Sequence, residues 1–97
     1  MRNGGEPQKP VDRQRLDRWL WHARMVRTRS AAAALTQAGH VRVNGARVTA
    51  AGYMVRAGDV VTVALDRAVQ VVRITGFCER RGSPERARET YAALPRS

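Results

Sequence analysis

The nine residues HVRVNGARV, positions 40–48, constrain the fold more than any other part of this chain. Asn44-Gly45 is the pair favoured by a two-residue hairpin turn, because both central residues of that turn need positive φ. Val41, Val43 and Val48 flank the turn as a buried side, while Arg42 and Arg47 point elsewhere or border it. A lone hairpin is barely stable in water, so this apolar side needs a partner. The residues before it offer one. In RLDRWLWHARM, Leu16, Trp19, Leu20 and Ala23 recur at i, i+3, i+4 and i+7, one face of a first helix.

A second helix follows the connection VRT. Thr28 is a suitable N-cap, the helix runs to about Ala38, and Gly39 supplies a left-handed stop. Ala31, Ala34, Leu35 and Ala38 form the expected core stripe, and their small size lets two helices approach closely. Arg15, Arg18, Trp21, His22 and Arg24 lie off the first stripe, and both histidines, His22 and His40, are expected to face solvent. Downstream, a turn at Gly58-Asp59 leads to a strand through Val61, Val63 and Leu65, and a last strand covers Val69 to Ile74. SPERARETYAAL reads as a short terminal helix, capped by Ser83 with Pro84 at its first position and Glu85 in its first turn. Two helices followed by a small antiparallel sheet and a short C-terminal helix define an α+β domain. The expected organisation is a disordered leader at 1–12, a domain at 13–76 and an extension with the short helix at 77–97.

Charge decides the class of partner. The 97 residues carry 18 basic and 8 acidic side chains, a net charge of +10. All the basic residues but Lys9 are arginine, whose planar fork holds phosphate with two parallel hydrogen bonds. A GC-rich genome would favour arginine codons over lysine, but it leaves the excess of positive charge unexplained. A polyanion is the expected partner, ahead of a membrane surface or an acidic protein. Cys78 is the only cysteine, so no internal disulfide forms and a reducing compartment is expected. No His/Cys spacing suits zinc, no apolar run approaches the roughly 18 residues of a membrane span, and MRNGGEPQKP lacks a signal-peptide core. The expectations are a cytoplasmic monomer without membrane attachment, metal or cofactor.

Most of the excess lies in one half. Residues 11–48 hold eight arginines against two aspartates, +6, while residues 49–97 hold eight against five acids, +3. Between Thr28 and Val48 there is no acid at all. On the second helix Ser30, Ala33 and Gln37 share a face away from the stripe, with Arg27 and Arg29 at its N-terminal mouth. Free amides, a hydroxyl and two guanidinia at a helix start suit a phosphate. Gln37, Arg42 and Asn44 then come within reach of backbone or base edges.

The order RLD, TRS, a short helix ending AGHVRVNGARV, then AGD, resembles the S4-type RNA-binding domain over roughly residues 15–65. RLDRWLWHARMVRTR together with ERRGSPERARETY is similar to the ribosome-associated heat-shock-protein-fifteen group within that family. The resemblance implies a two-helix RNA-binding motif and contacts at Arg15, Arg27, Arg29, Ser30, Gln37, Arg42, Asn44 and Arg47. It also implies binding to rRNA of the large ribosomal subunit, particularly one left holding peptidyl-tRNA, as part of recycling under heat stress. This sequence departs from the better-known relative in that group, which continues into a long basic tail beyond the positions matched by ETYAAL.

Other readings stay open. A general structured-RNA or tRNA binder fits the same charges, and a DNA-binding protein fits less well because the second helix is short and its polar face mild. No acid/base pair or nucleotide loop supports an enzyme such as a pseudouridine synthase. Arg15 has Asp12 and Asp17 as rival partners, whereas Arg29 has no acid near it in sequence. Arg42 and Arg47 also suit the blunting of a sheet edge, and Asn44 suits the turn itself. Trp19 belongs in the core. Trp21 is left to be covered by Tyr91 and Leu94 or to stack on an unpaired base. Cys78 has no neighbour that completes a nucleophile–base pair.

Overall fold

A computed structural model describes residues 13–66, 68–78 and 84–94. The chain begins with strand β1 (Arg13–Arg15), which runs directly into helix α1 (Leu16–His22). Helix α2 (Arg29–Gln37) follows, then strands β2 (Val41–Val43), β3 (Ala46–Arg47), β4 (Met54–Arg56), β5 (Val60–Ala64) and β6 (Val69–Ile74). A single helical turn, α3 (Pro84–Ala87), continues as a 3-10 turn (Arg88–Thr90) into strand β7 (Tyr91–Ala93). The order β3-β2-β5-β6-β7 makes a five-stranded sheet, antiparallel throughout, and β1 pairs with β4 as a separate two-stranded ribbon.

Local chemistry explains the boundaries that position the helices and the first hairpin. The Thr28 hydroxyl accepts the Ala31 N–H at 3.0 Å, satisfying one of the free amides that open α2. Gly39, at φ +87°, reverses the chain after α2. Asn44 and Gly45, at φ +52° and +85°, form the two-residue turn between β2 and β3, with Val43 opposite Ala46 and Arg42 opposite Arg47. The core lies between the helix pair and the sheet. Leu16, Trp19 and Leu20 are fully buried from the helical side, and Val41, Val61 and Val63 meet them from the sheet. Ala23, Val43 and Val48 are buried as the periodicity predicts.

Several expectations need correction. In α2 the buried residues are Ala32 and Thr36, with Leu35 half-buried, whereas Ala31, Ala34 and Ala38 are exposed. A four-alanine run has no hydropathic contrast, so it cannot say which face turns inward. Thr36 tolerates burial because its hydroxyl donates to the Ala32 carbonyl at 2.9 Å. His22 is buried, not solvent-facing: its Nδ1 lies 2.8 Å from the Cys78 carbonyl oxygen. A carbonyl only accepts, so Nδ1 carries the proton there. Gln14 Nε2 donates to the same oxygen at 2.8 Å, tying the chain after β6 to both β1 and α1.

His40 is exposed, as expected. The expected terminal helix lasts only from Pro84 to Ala87; Tyr91–Ala93 instead extend the sheet against β6. Backbone groups on the outer side of β6 provide a ladder that outweighs the helical preference of the two alanines. Ser83, the expected cap, lies outside the described residues. So do the leader at 1–12 and parts of the 77–97 extension.

Candidate nucleic-acid interface

The expected contact residues fall into two groups at opposite ends of α2. At its start, Arg27, Arg29 and Ser30 are all exposed beside the Thr28 cap, and no acid occupies the first helical turn. Packing of α1 against α2 brings Arg15 to this end. The connection is Asp17, whose carboxylate is only 5% exposed. Its Oδ1 accepts from Arg15 Nε at 3.1 Å and from the Arg18 backbone N–H at 2.7 Å. Its Oδ2 accepts from Arg15 Nη2 at 3.1 Å and lies 3.8 Å from Arg29 Nε. One carboxylate is thus shared by two guanidinia from different elements, leaving a positive charge in excess. Arg15 lies over Gly52, its guanidinium carbon 3.6 Å from where a Cβ would stand, an ordinary contact distance. Hydrogen bonding to Asp17, then its charge, raises Arg15 above the ordinary arginine pKa, so its positive charge is secure.

Absence of an acid near Arg29 in sequence therefore does not carry over into the fold. Asp17 is twelve positions upstream, and only the helix pairing brings it close. The charge pattern names it as a partner for Arg15 and overlooks its approach to Arg29. An acid two positions after an arginine at a helix start was the available signal, because that acid sits where backbone N–H groups are free.

The second group gathers at the far end of α2. Arg42 and Arg47 are cross-strand partners and both are exposed. Together with Gly39, His40, Thr62, Ala64 and Val69 they line a shallow cleft of about 290 Å³. The Arg47 stem passes Gly39 closely, its Cδ 3.4 Å from where a Cβ would stand. Gln37 is exposed in the last turn of α2. Asn44 behaves differently. Its side-chain Nδ2 donates to Asp59 Oδ1 at 3.1 Å and its Oδ1 accepts the Val60 N–H at 2.9 Å. The amide locks the hairpin tip onto the start of β5 and so shapes the turn. A nine-residue helix spans roughly 13 Å, which sets the separation of the two groups. Thr62 and His40 join the second group through the β2–β5 pairing, which sequence alone does not reveal.

Trp21 is half-buried, its ring centroid 5.3 Å from that of His22. Among the described residues, no three or more His, Cys, Asp or Glu side chains are placed to hold a metal ion. Nor is any described helix long and apolar enough to cross a membrane.

Comparison with known proteins points the same way. Residues 14–61 match the S4 domain family. A heat shock protein 15 homolog of Aeromonas salmonicida is 35% identical over 85 residues, covering 88% of this chain and 64% of that protein. The small ribosomal subunit protein uS4 of Methylobacterium radiotolerans is 33% identical over 82 residues, covering 84% of this chain and 40% of the relative. This chain therefore spans between two fifths and just under two thirds of the length of these relatives. Among solved structures, trimeric heat shock protein 15 of Vibrio cholerae superposes with a TM-score of 0.79 at 29% identity, covering 89% of this chain and 83% of that one.

Proposed function

This chain belongs to the S4 domain family, and on that premise we propose that it is a non-catalytic RNA-binding protein acting at the ribosome. The observation that carries the reading is the pair of arginine groups at the two ends of α2, one organised by Asp17 and one by the β2–β3 hairpin. Two cationic clusters, one at each end of α2, suit the backbone of a folded RNA, where successive phosphates present charge at defined spacing. Arg15, Arg27, Arg29, Ser30, Gln37, Arg42 and Arg47 make the contacts, and Asn44 holds the hairpin in the required shape. The mechanism is docking of a preformed surface with little base readout. No bond is made or broken.

The RNA we propose is rRNA of the large subunit, in particular a subunit still carrying peptidyl-tRNA, and the setting is ribosome rescue and recycling under heat stress in the cytoplasm. The likeness to heat shock protein 15 relatives supports this narrower reading. The Vibrio cholerae protein is described as trimeric; the contact proposed here needs one copy, and a monomer is its functional unit. Co-sedimentation with large subunits, empty or loaded with peptidyl-tRNA, across a salt series tests the proposal. Preferential, salt-sensitive binding to loaded subunits is the expected result. Equal binding to both would replace it with a general rRNA binder, and stronger competition by duplex DNA than by structured RNA would overturn it.

A further inference from the structure

The ribbon formed by β1 and β4 carries a charge arrangement that the interface above does not use. Arg13 and Arg56 are directly opposite one another in antiparallel register, separated from the Arg15–Met54 pair by Gln14 and Val55. Alternation turns Gln14 and Val55 inward, where both are buried, and leaves Arg13, Arg15, Met54 and Arg56 on one exposed face. Like charges directly opposite on neighbouring strands repel and weaken the pairing. Here they sit on strands of only three residues, held by the burial of the intervening Gln14 and Val55 and not by the outer face.

Among the described residues neither guanidinium has a carboxylate within ion-pair distance. Asp59, three residues after Arg56, is already engaged: it accepts the Arg56 backbone N–H at 2.9 Å through Oδ2 and the Asn44 amide through Oδ1. The same arrangement occurs at Arg42 and Arg47, opposite one another at the β3 edge of the five-stranded sheet. An arginine pair with no carboxylate partner among the described residues is repulsive in the free protein, and an external anion between the two guanidinia removes that repulsion.

We propose that the outer face of the β1–β4 ribbon is a second phosphate-binding surface, in which Arg13 and Arg56 grip the sugar–phosphate backbone of the RNA. This rests on the RNA-binding reading above and extends it. Arg15 sits at the junction, its guanidinium held by Asp17 toward the start of α2 and its backbone in the ribbon. The charged surface therefore continues from α2 across β1 to β4. The RNA covers the ribbon as well as the helix and hairpin.

The test uses the full chain and deproteinised large-subunit rRNA in salt titrations of the wild type, Arg29→Ala, and an Arg13→Gln/Arg56→Gln double variant. The double variant is expected to bind roughly tenfold or more weakly at about 0.1 M salt and to lower the slope of log affinity against log salt by about two. Its thermal midpoint should match or exceed that of the wild type, because a repulsive pair has gone. A second variant, Arg56→Glu, places a carboxylate opposite Arg13; it should stabilise the ribbon while lowering affinity and slope in the same way. It serves as the deciding variant if the double variant fails to fold. Unchanged affinity and slope in a folded ribbon variant, with Arg29→Ala weakened, would overturn the ribbon surface and leave the RNA reading standing. A wild type that binds no rRNA would remove both.

Discussion

Asp17 holds Arg15 in a two-point fork, with both N–H···O contacts at 3.1 Å, and the same carboxylate stands 3.8 Å from Arg29. A buried acid thus sets the geometry of exposed cations. Replacing it tests whether placement or total charge governs binding. Asp17→Asn raises the net charge by one, which on charge alone would strengthen affinity for RNA. We expect weaker binding instead, because both guanidinia lose their common anchor. Urea unfolding should show a loss of about 1–3 kcal/mol, from weakening of charge-assisted hydrogen bonds at a buried site. Tighter binding in the salt titration would show that placement does not matter.

Arg29→Ala separates binding from stability. The contact with Asp17 is long and its arginine half-exposed, so its loss should change stability by only about 0–1 kcal/mol. Affinity for rRNA should fall, with the salt slope reduced by about one. Fluorescence anisotropy beside a thermal melt reads both quantities. An intact fold with unaltered binding would move the contact away from the mouth of α2.

The hairpin tip offers a comparison between two substitutions at one position. Asn44→Gly keeps the positive φ accessible but removes the hydrogen bonds to Asp59 and Val60. Asn44→Ala loses those bonds and also strains the turn. Alanine should therefore be the more destabilising by about 1 kcal/mol, and both should cost stability relative to asparagine. Equal denaturation midpoints for the two would mean that the turn's φ carries no penalty.

The inward face of α2 is open to direct test. Ala32→Leu forces a larger side chain into a fully buried position and should destabilise by about 1–3 kcal/mol. Ala34→Leu, on the exposed side, should stay within about 0.5 kcal/mol of the wild type. Thr36→Val removes only a hydroxyl whose acceptor keeps its helical bond, so it is expected to be near neutral. The reverse order for the two alanines in chemical denaturation would restore the stripe read from periodicity.

These residues also show where sequence reasoning holds. Thr28, Gly39 and Asn44-Gly45 were legible because each serves a local need, a cap or a positive φ, that few residue types meet. Leu16, Trp19 and Leu20 were legible because they contrast sharply with their charged neighbours. Strand β6 was read with its observed limits, Val69–Ile74, from its run of branched residues. Strands β1 and β4, three residues each, are too short to display a period, and β7 exists because of the backbone groups β6 presents to it. His22 looked polar and outward-facing; a carbonyl 56 positions later makes its burial possible. At the interface, the arginines could be chosen by charge and position, but their division into two groups and their link through Asp17 are properties of helix packing.

The match to the S4 domain ends at residue 61, the second residue of β5. From there the same strand runs on to Ala64, pairs along its whole length with β6, and β6 in turn pairs with β7. The region that the family has in common is thus smaller than the sheet it belongs to, and its border cuts through a strand rather than a linker. A chain that carries the arginine-bearing half needs further strands to close that sheet, and here the likeness to the heat shock protein 15 homolog, which covers 88% of this chain, runs on into them.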